Sequence, residues 1–229
     1  MAKHDRVVWV VPVRFDPENP VVFECVESIK RYHDDPIIII VDSDSPDKSY
    51  LNWCVDQGCR IGPTNNHLRA FGAHAWAYRH NPDADFFCMI FDSLHIQKNL
   101  DYLQSAPVTA TRHWPNSMHD WGWAEDGTHL SVWGGEQLER MGVPMPEHYN
   151  GIMGPMLFVQ MSVCRELDAL GYWFTQTTNG YEHCAMERVA GITLEYLGYD
   201  VTRSLQGVHQ SHWSDYSEDA VRKINMARA

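Results

Sequence analysis

Apolar residues run without alternation over Arg6 to Val13, and again through Ile37-Ile38-Ile39-Ile40-Val41, and each run breaks off into a polar, proline-bearing stretch. Unbroken runs of this length fit strands covered on both faces, as in a parallel sheet held between layers of helices. Between them, Val22, Cys25, Val26 and Ile29 recur at helical spacing within Val21 to Tyr32, which predicts a crossover helix. The alternation continues with a helix over Lys48 to Gln57 stopped by Gly58, a short strand near Cys59 to Ile61, a helix over Leu68 to His80, and a strand over Asp85 to Phe91. Repeated β-α units imply an α/β fold with a mainly parallel central sheet, right-handed crossovers, and ligands outside the carboxyl ends of the strands. Acids stand at two of those ends: Asp42 and Asp44 after the second strand, Asp92 after the fourth.

The second half is less regular. Ala106 to Trp114 predicts a strand, and residues 115–151 form a Trp- and His-rich, Gly/Pro-punctuated stretch of weak periodicity, expected to be a wall or lid over a site. A strand over Gly154 to Met161, helices over Ser162 to Leu170 and Tyr181 to Leu197, a last strand over Asp200 to Leu205 and a surface helix from Asp215 complete the expectation. At 229 residues one domain is the default.

Composition narrows the classes. Hydrophobic residues at 44% and charged residues at 21% are ordinary for a globular chain and argue against a disordered or fibrous one. The N-terminal apolar run is too short for a signal or spanning segment, so no transmembrane segment is expected. Six cysteines without C-x-x-C spacing fit reduced thiols, and with them a cytoplasmic location. A net charge of −12 without a basic cluster argues against nucleic acid. An acidic chain that binds a diphosphate needs a divalent cation or well-placed arginines. No zincin spacing, nucleophile elbow, Walker loop or G-x-G-x-x-G is present, which removes support from hydrolase and dinucleotide readings.

Several segments, in order, resemble the GT-A class of nucleotide-sugar glycosyltransferases: Arg6 to Arg14, IIIIVDSDSPD, Asn65-Asn66-His67-Leu68-Arg69 followed by Ala73 and Ala77, FFCMIFDSLHIQKNLD, GPMLFVQMSVCRELDALGYW and NGYEHCAMERVAGITLEYLGYDV. Together they cover most of the chain except residues 115–151. The resemblance implies a GT-A-like domain with a nucleotide-sugar-binding half, 1–105, and an acceptor-binding half, 106–229. It places Pro12, Val13 and Arg14 against the nucleotide base, Asp42 and Asp44 on uracil or ribose, and Asn66, Arg69, Asp92 and Ser93 along the donor. It implies Mn²⁺ or Mg²⁺ held by Asp92 with His209 or His212, and a general base at Glu182 or, next, His183. One acid of the aspartate-x-aspartate motif is absent either way, since position 90 is Ile90 and position 94 is Leu94.

The implied activity is transfer of a sugar, a hexose by expectation, from a UDP- or GDP-sugar to a hydroxyl on a glycan or lipid-linked acceptor. The Glu182-His183 region resembles inverting members, whereas DSLHIQKNLD resembles a turn in some retaining ones. The incomplete motif keeps open a non-catalytic nucleotide-sugar- or glycan-binding protein of the same fold. Each residue also has a plainer reading. Asp42 and Asp44 fit an Asx-turn cluster, Asp92 a solvated strand-end acid, Glu182 a helix cap, and Arg14 and Arg69 surface ion pairs. His209 and His212 fit ordinary loop residues. Trp114, Trp121, Trp123 and Trp133 offer flat faces for sugar rings, or core filling.

Overall fold

The computed structural model describes residues 6–117 and 121–205, and the backbone of 221–223. Strand β1 (Val7–Val13) lies between β2 (Ile37–Asp42) and β4 (Phe86–Met89), parallel to both, and β3 (Arg60–Ile61) extends the sheet beyond β2. On the other side β4 pairs antiparallel with β9 (Leu157–Gln160), which pairs antiparallel with β6 (Val108–Ala110). The six-stranded order β3-β2-β1-β4-β9-β6 is the mainly parallel α/β sheet that the chain's β-α alternation predicts.

The apolar runs are unbroken because both sheet faces are covered, with successive side chains alternating between two cores. Val8, Val10, Ile39, Val41, Phe87 and Met89 pack beneath α3 (Arg69–His80), α5 (Met161–Ala169) and α6 (Gly180–Tyr196). Trp9, Val11, Val13, Ile38, Ile40, Phe86 and Cys88 pack against α1 (Val21–Tyr32) and α2 (Tyr50–Asp56). Pairing of Val13 with Asp42 and of Val10 with Met89 brings the carboxyl ends of β1, β2 and β4 to one edge.

Four sequence expectations change. Ala106 to Trp114 is two strands, β6 and β7 (His113–Ser117), and β7 pairs with β8 (His148–Ile152) in a small separate sheet. Residues 115–151 are not irregular throughout, for they also hold helix α4 (Leu130–Arg140). Its weak periodicity has a packing cause: a side chain at Gly134 would overlap the ring of buried Trp121, so a poor helix former occupies its centre. Asp200 to Leu205 forms no strand; Asp200 Oδ1 accepts from Thr202 N at 3.0 Å and turns the chain. Of the helix expected from Asp215, residues 221–223 are instead a strand, β10 (Val221–Lys223), antiparallel to β5 (Leu94–Ile96), and the rest lies outside the described residues.

Helix α6 crosses β8 closely. A Cβ at Gly191 would fall on the carbonyl oxygen of Asn150, a backbone atom that cannot swing aside. Gly191→Ala is therefore expected to destabilise by about 1–3 kcal/mol. Gly135→Ala, whose Cβ would meet only Met145 Cε at 3.7 Å, is expected to stabilise by about 0.5–1 kcal/mol. Urea titration of both variants checks the contrast.

Candidate functional site

The loop after β2 is built around a buried carboxylate. Asp42, 0% exposed, accepts from Ser45 N at 2.8 Å and Tyr50 Oη at 2.9 Å, and pairs with Lys48 Nζ at 3.3 Å. Ser45 Oγ in turn accepts from Phe15 N at 2.7 Å, and Ser43 N donates to Val13 O at 2.6 Å. These bonds tie the loops after β1 and β2 together. With Asp42 committed inward, Asp44 takes up a left-handed backbone (φ 61°) and projects an exposed carboxylate 3.4 Å from His67 Nδ1. A non-glycine residue in that region is locally strained, which is common where a loop is held for function.

The loop before α3 is fastened to the same edge. Asn66 N donates to Asp42 O at 3.0 Å, and the Asn66 side chain bridges Leu68 N and Arg69 O at 3.2 and 2.5 Å. Arg69 is also left-handed (φ 55°), with its guanidinium exposed and lying beside Gly180 at the start of α6. Thr177 Oγ1 donates to Leu68 O at 3.1 Å and joins the two helix starts.

Between these loops lies a cleft of about 480 Å³. Pro12, Arg14, Asp44, Asn66, Arg69, Asp92 and His183, all sequence candidates, line it. Ser43, His67, Ala70, Phe91 and Thr178, which sequence reasoning did not select, complete the wall. The cleft opens at the carboxyl ends of parallel strands, where open α/β sheets hold ligands. Two arginines and two aspartates line it, so this cleft gathers cationic side chains in an otherwise acidic chain.

Other candidates stand elsewhere. Asp42 is absorbed in its loop, the Val13 side chain is buried in the core, and Ser93 lies in the turn behind Asp92 without lining the cleft. Glu182 caps α6: Asn179 Oδ1 accepts from Glu182 N at 2.9 Å, and Glu182 Oε2 accepts from Thr178 N at 2.5 Å and Thr178 Oγ1 at 2.9 Å. That is a reciprocal capping arrangement. One turn in, His183 reaches the cleft, and its buried Nδ1 has no hydrogen-bond partner among the described residues. Burial, then the positive charge of Arg69, pushes His183 down to about 4, so it is neutral near pH 7. Behind it, His74 is 1% exposed with Nε2 likewise unpartnered among the described residues; burial and then His183 push it down to about 3. No sequence signal separated His74 from a surface histidine.

Asp92 is 7% exposed at the cleft, while Ile90 and Leu94, at the positions a second acid would occupy, are both buried in the core. Among the described residues no group of three or more His, Cys, Asp or Glu could hold a metal ion. His209 and His212 lie outside the described residues. Arg14 and Arg69 are the arginines of the cleft lining.

Of the four tryptophans that could stack on sugar rings, Trp121 is buried, Trp114 and Trp133 are half-buried, and Trp123 is 65% exposed. All six cysteines are free thiols, five of them buried. No helix among the described residues is long and apolar enough to cross a membrane.

No protein-family model matches the chain, and no curated protein matches it. Among solved structures it is similar to residues 1–349 of S. aureus TarS, with 11% identity over 81% of this chain and 55% of that one, at a TM-score of 0.48. The same fragment in complex with UDP matches at 9% identity over 71% of this chain and 49% of that one, at 0.43. The apo structure of the bifunctional glycosyltransferase WbbM matches at 16% identity over 83% of this chain and 38% of that one, at 0.45. The chain spans about half the length of the TarS fragment and less of WbbM.

Proposed function

We propose that this protein transfers a sugar from a nucleotide diphosphate donor, a UDP- or GDP-sugar, to a hydroxyl acceptor. The observation that supports the reading is the convergence of Arg14, Asp44, Asn66, Arg69, Asp92 and His183, from separate stretches of chain, on one cleft at the carboxyl edge of the sheet. In this reading residues 1–105 form the donor half and residues 106–229 the acceptor half. Pro12 and Arg14 flank the base, and Asp44 and Asn66 accept from or donate to base and ribose. Arg69 takes the diphosphate, where a guanidinium fork offsets charge on the leaving group. His183, neutral near pH 7, accepts the proton of the acceptor hydroxyl as the new glycosidic bond forms and the sugar–phosphate bond breaks. The bound diphosphate favours the imidazolium and so strengthens the base during transfer. A Mn²⁺ or Mg²⁺ ion on Asp92, with ligands from outside the described residues, would add Lewis-acid neutralisation of the leaving group.

A second reading, nucleotide-sugar binding without turnover, draws on the lone aspartate between buried Ile90 and Leu94. Thermal unfolding with UDP, GDP and their sugars, with and without Mn²⁺, combined with a nucleotide-release assay, separates the two. A donor at 100 times its dissociation constant is expected to add about 2.7 kcal/mol of stability. Stabilisation with release supports transfer; stabilisation without release under any acceptor favours binding alone; no stabilisation by any nucleotide contradicts both.

A further inference from the structure

We infer that the acceptor is an uncharged saccharide, and that Trp123, with Tyr181 and Glu125, is the platform on which one of its rings rests. The inference rests on the proposed donor cleft for its place in the reaction, but not for its binding chemistry.

Trp123 stands out because it is held outward by a built element. Residues 122–130 form a hairpin, with Ala124 N bonded to Thr128 O at 2.9 Å, Leu130 N to Gly122 O at 2.9 Å, and a turn closed by Gly127 N to Ala124 O at 3.1 Å. Gly127 has φ 81°, which a side chain would strain, and Asp126 Oδ1 fixes the turn by accepting from Thr128 N at 2.9 Å. The indole packs edge-on against His129 with centroids 4.7 Å apart and is 65% exposed. Trp121, which precedes the hairpin, is buried in the core, whereas Trp123 fills none of it.

The hairpin is tied to the start of α6, the stretch whose Thr178 and His183 line the cleft. Tyr181 Oη and Glu125 Oε1 are 3.2 Å apart, and Tyr181 is itself exposed. Tyr181 lies between Gly180, against which the Arg69 guanidinium rests, and the His183 turn of α6.

The surroundings choose the ligand. Gly122, Glu125, Asp126, Gly127 and Thr128 of the same hairpin are all exposed, so the ring is a flat apolar face on an otherwise polar, hydrogen-bonding element. A pyranose, apolar on its C–H face and hydroxylated at its edge, fits such a surface. An acyl chain would need a contiguous apolar patch, and a phosphorylated or sulfated glycan would meet Glu125 and Asp126 with no Lys or Arg in residues 121–130.

The test is a printed array of neutral, sialylated, sulfated and phosphorylated glycans, probed with the full chain, followed by titration of the best neutral glycan into Trp123→Ala, Trp123→Phe and Glu125→Gln. Loss of one ring stack is expected to weaken binding about tenfold in Trp123→Ala. Trp123→Phe restores most of it, and Glu125→Gln weakens it less. UDP titration runs in parallel on the same proteins and is expected to be unchanged by all three substitutions. Wild type binding only charged glycans, or none, overturns the proposal, as does Trp123→Ala binding like wild type. Neutral-glycan binding that depends on Trp123 while UDP fails to bind upholds the platform and removes the donor cleft instead.

Discussion

Replacing His183 with glutamine is expected to lower turnover about 10²–10⁴-fold, the usual contribution of a positioned acid–base group, while nucleotide affinity changes little. Glutamine keeps a polar side chain of similar reach at the cleft but cannot take a proton. Glu182→Gln makes the contrasting prediction. Its carboxylate is engaged with Thr178 N and Oγ1 at the start of α6, so the substitution weakens a cap and a favourable dipole interaction, about 0.5–1 kcal/mol of stability, and leaves turnover near wild type. Nucleotide release measured at saturating donor, beside a melt of each variant, tells the two apart. A collapse of turnover in Glu182→Gln with full activity in His183→Gln would reverse the assignment.

Acid is expected to destabilise this protein well above the range in which carboxylates titrate. His74 and His183 are held neutral in the folded chain, pushed down to about 3 and about 4, whereas in the unfolded chain each returns to its ordinary 6.5. Below that ordinary value the unfolded chain binds protons that the folded one refuses, so stability is full above about pH 6.5 and falls as pH drops toward 4 for His183 and toward 3 for His74. Each histidine contributes a slope of at most about 1.4 kcal/mol per pH unit. Over two units the pair removes several kcal/mol, a large part of the ~5–15 kcal/mol that holds a domain folded. His33 and His113 are pushed the same way by burial, against the opposing pull of Asp101 on the first and of Asp200 and Glu195 on the second. Urea titrations at pH 7.5 and 5, on wild type and His74→Leu, check the account. The variant is expected to lose less stability between the two pH values; an equal loss in both would place the acid sensitivity elsewhere.

How much of this was legible depended on the kind of signal. The runs at Val7–Val13 and Ile37–Asp42 declare themselves because strands covered on both faces need no polar alternation, and Val21–Tyr32 matches its expected bounds because its apolar stripe meets one layer of core. Residues 130–140 hid their helix because Gly134 is selected by the Trp121 ring rather than by helix propensity. Within DSDSPD, composition does not tell which acid faces inward. Strand register with Val13 buries Asp42, where Tyr50 and Lys48 claim it, and the left-handed turn exposes Asp44. Glu182 and His183 adjoin in sequence, yet helical geometry sends one to the cap and the other to the cleft. Thr178 and His67 became visible as wall residues only when the helix starts were brought together.

The most direct test of the central claim is calorimetric titration of UDP and GDP into wild type and Arg69→Ala. One nucleotide is expected to bind wild type, and loss of the guanidinium, about 1.5–3 kcal/mol for a charge-assisted contact, to weaken it roughly 10- to 100-fold. Binding equal in both proteins, or no nucleotide bound by wild type, would contradict a diphosphate site at the carboxyl edge of this sheet.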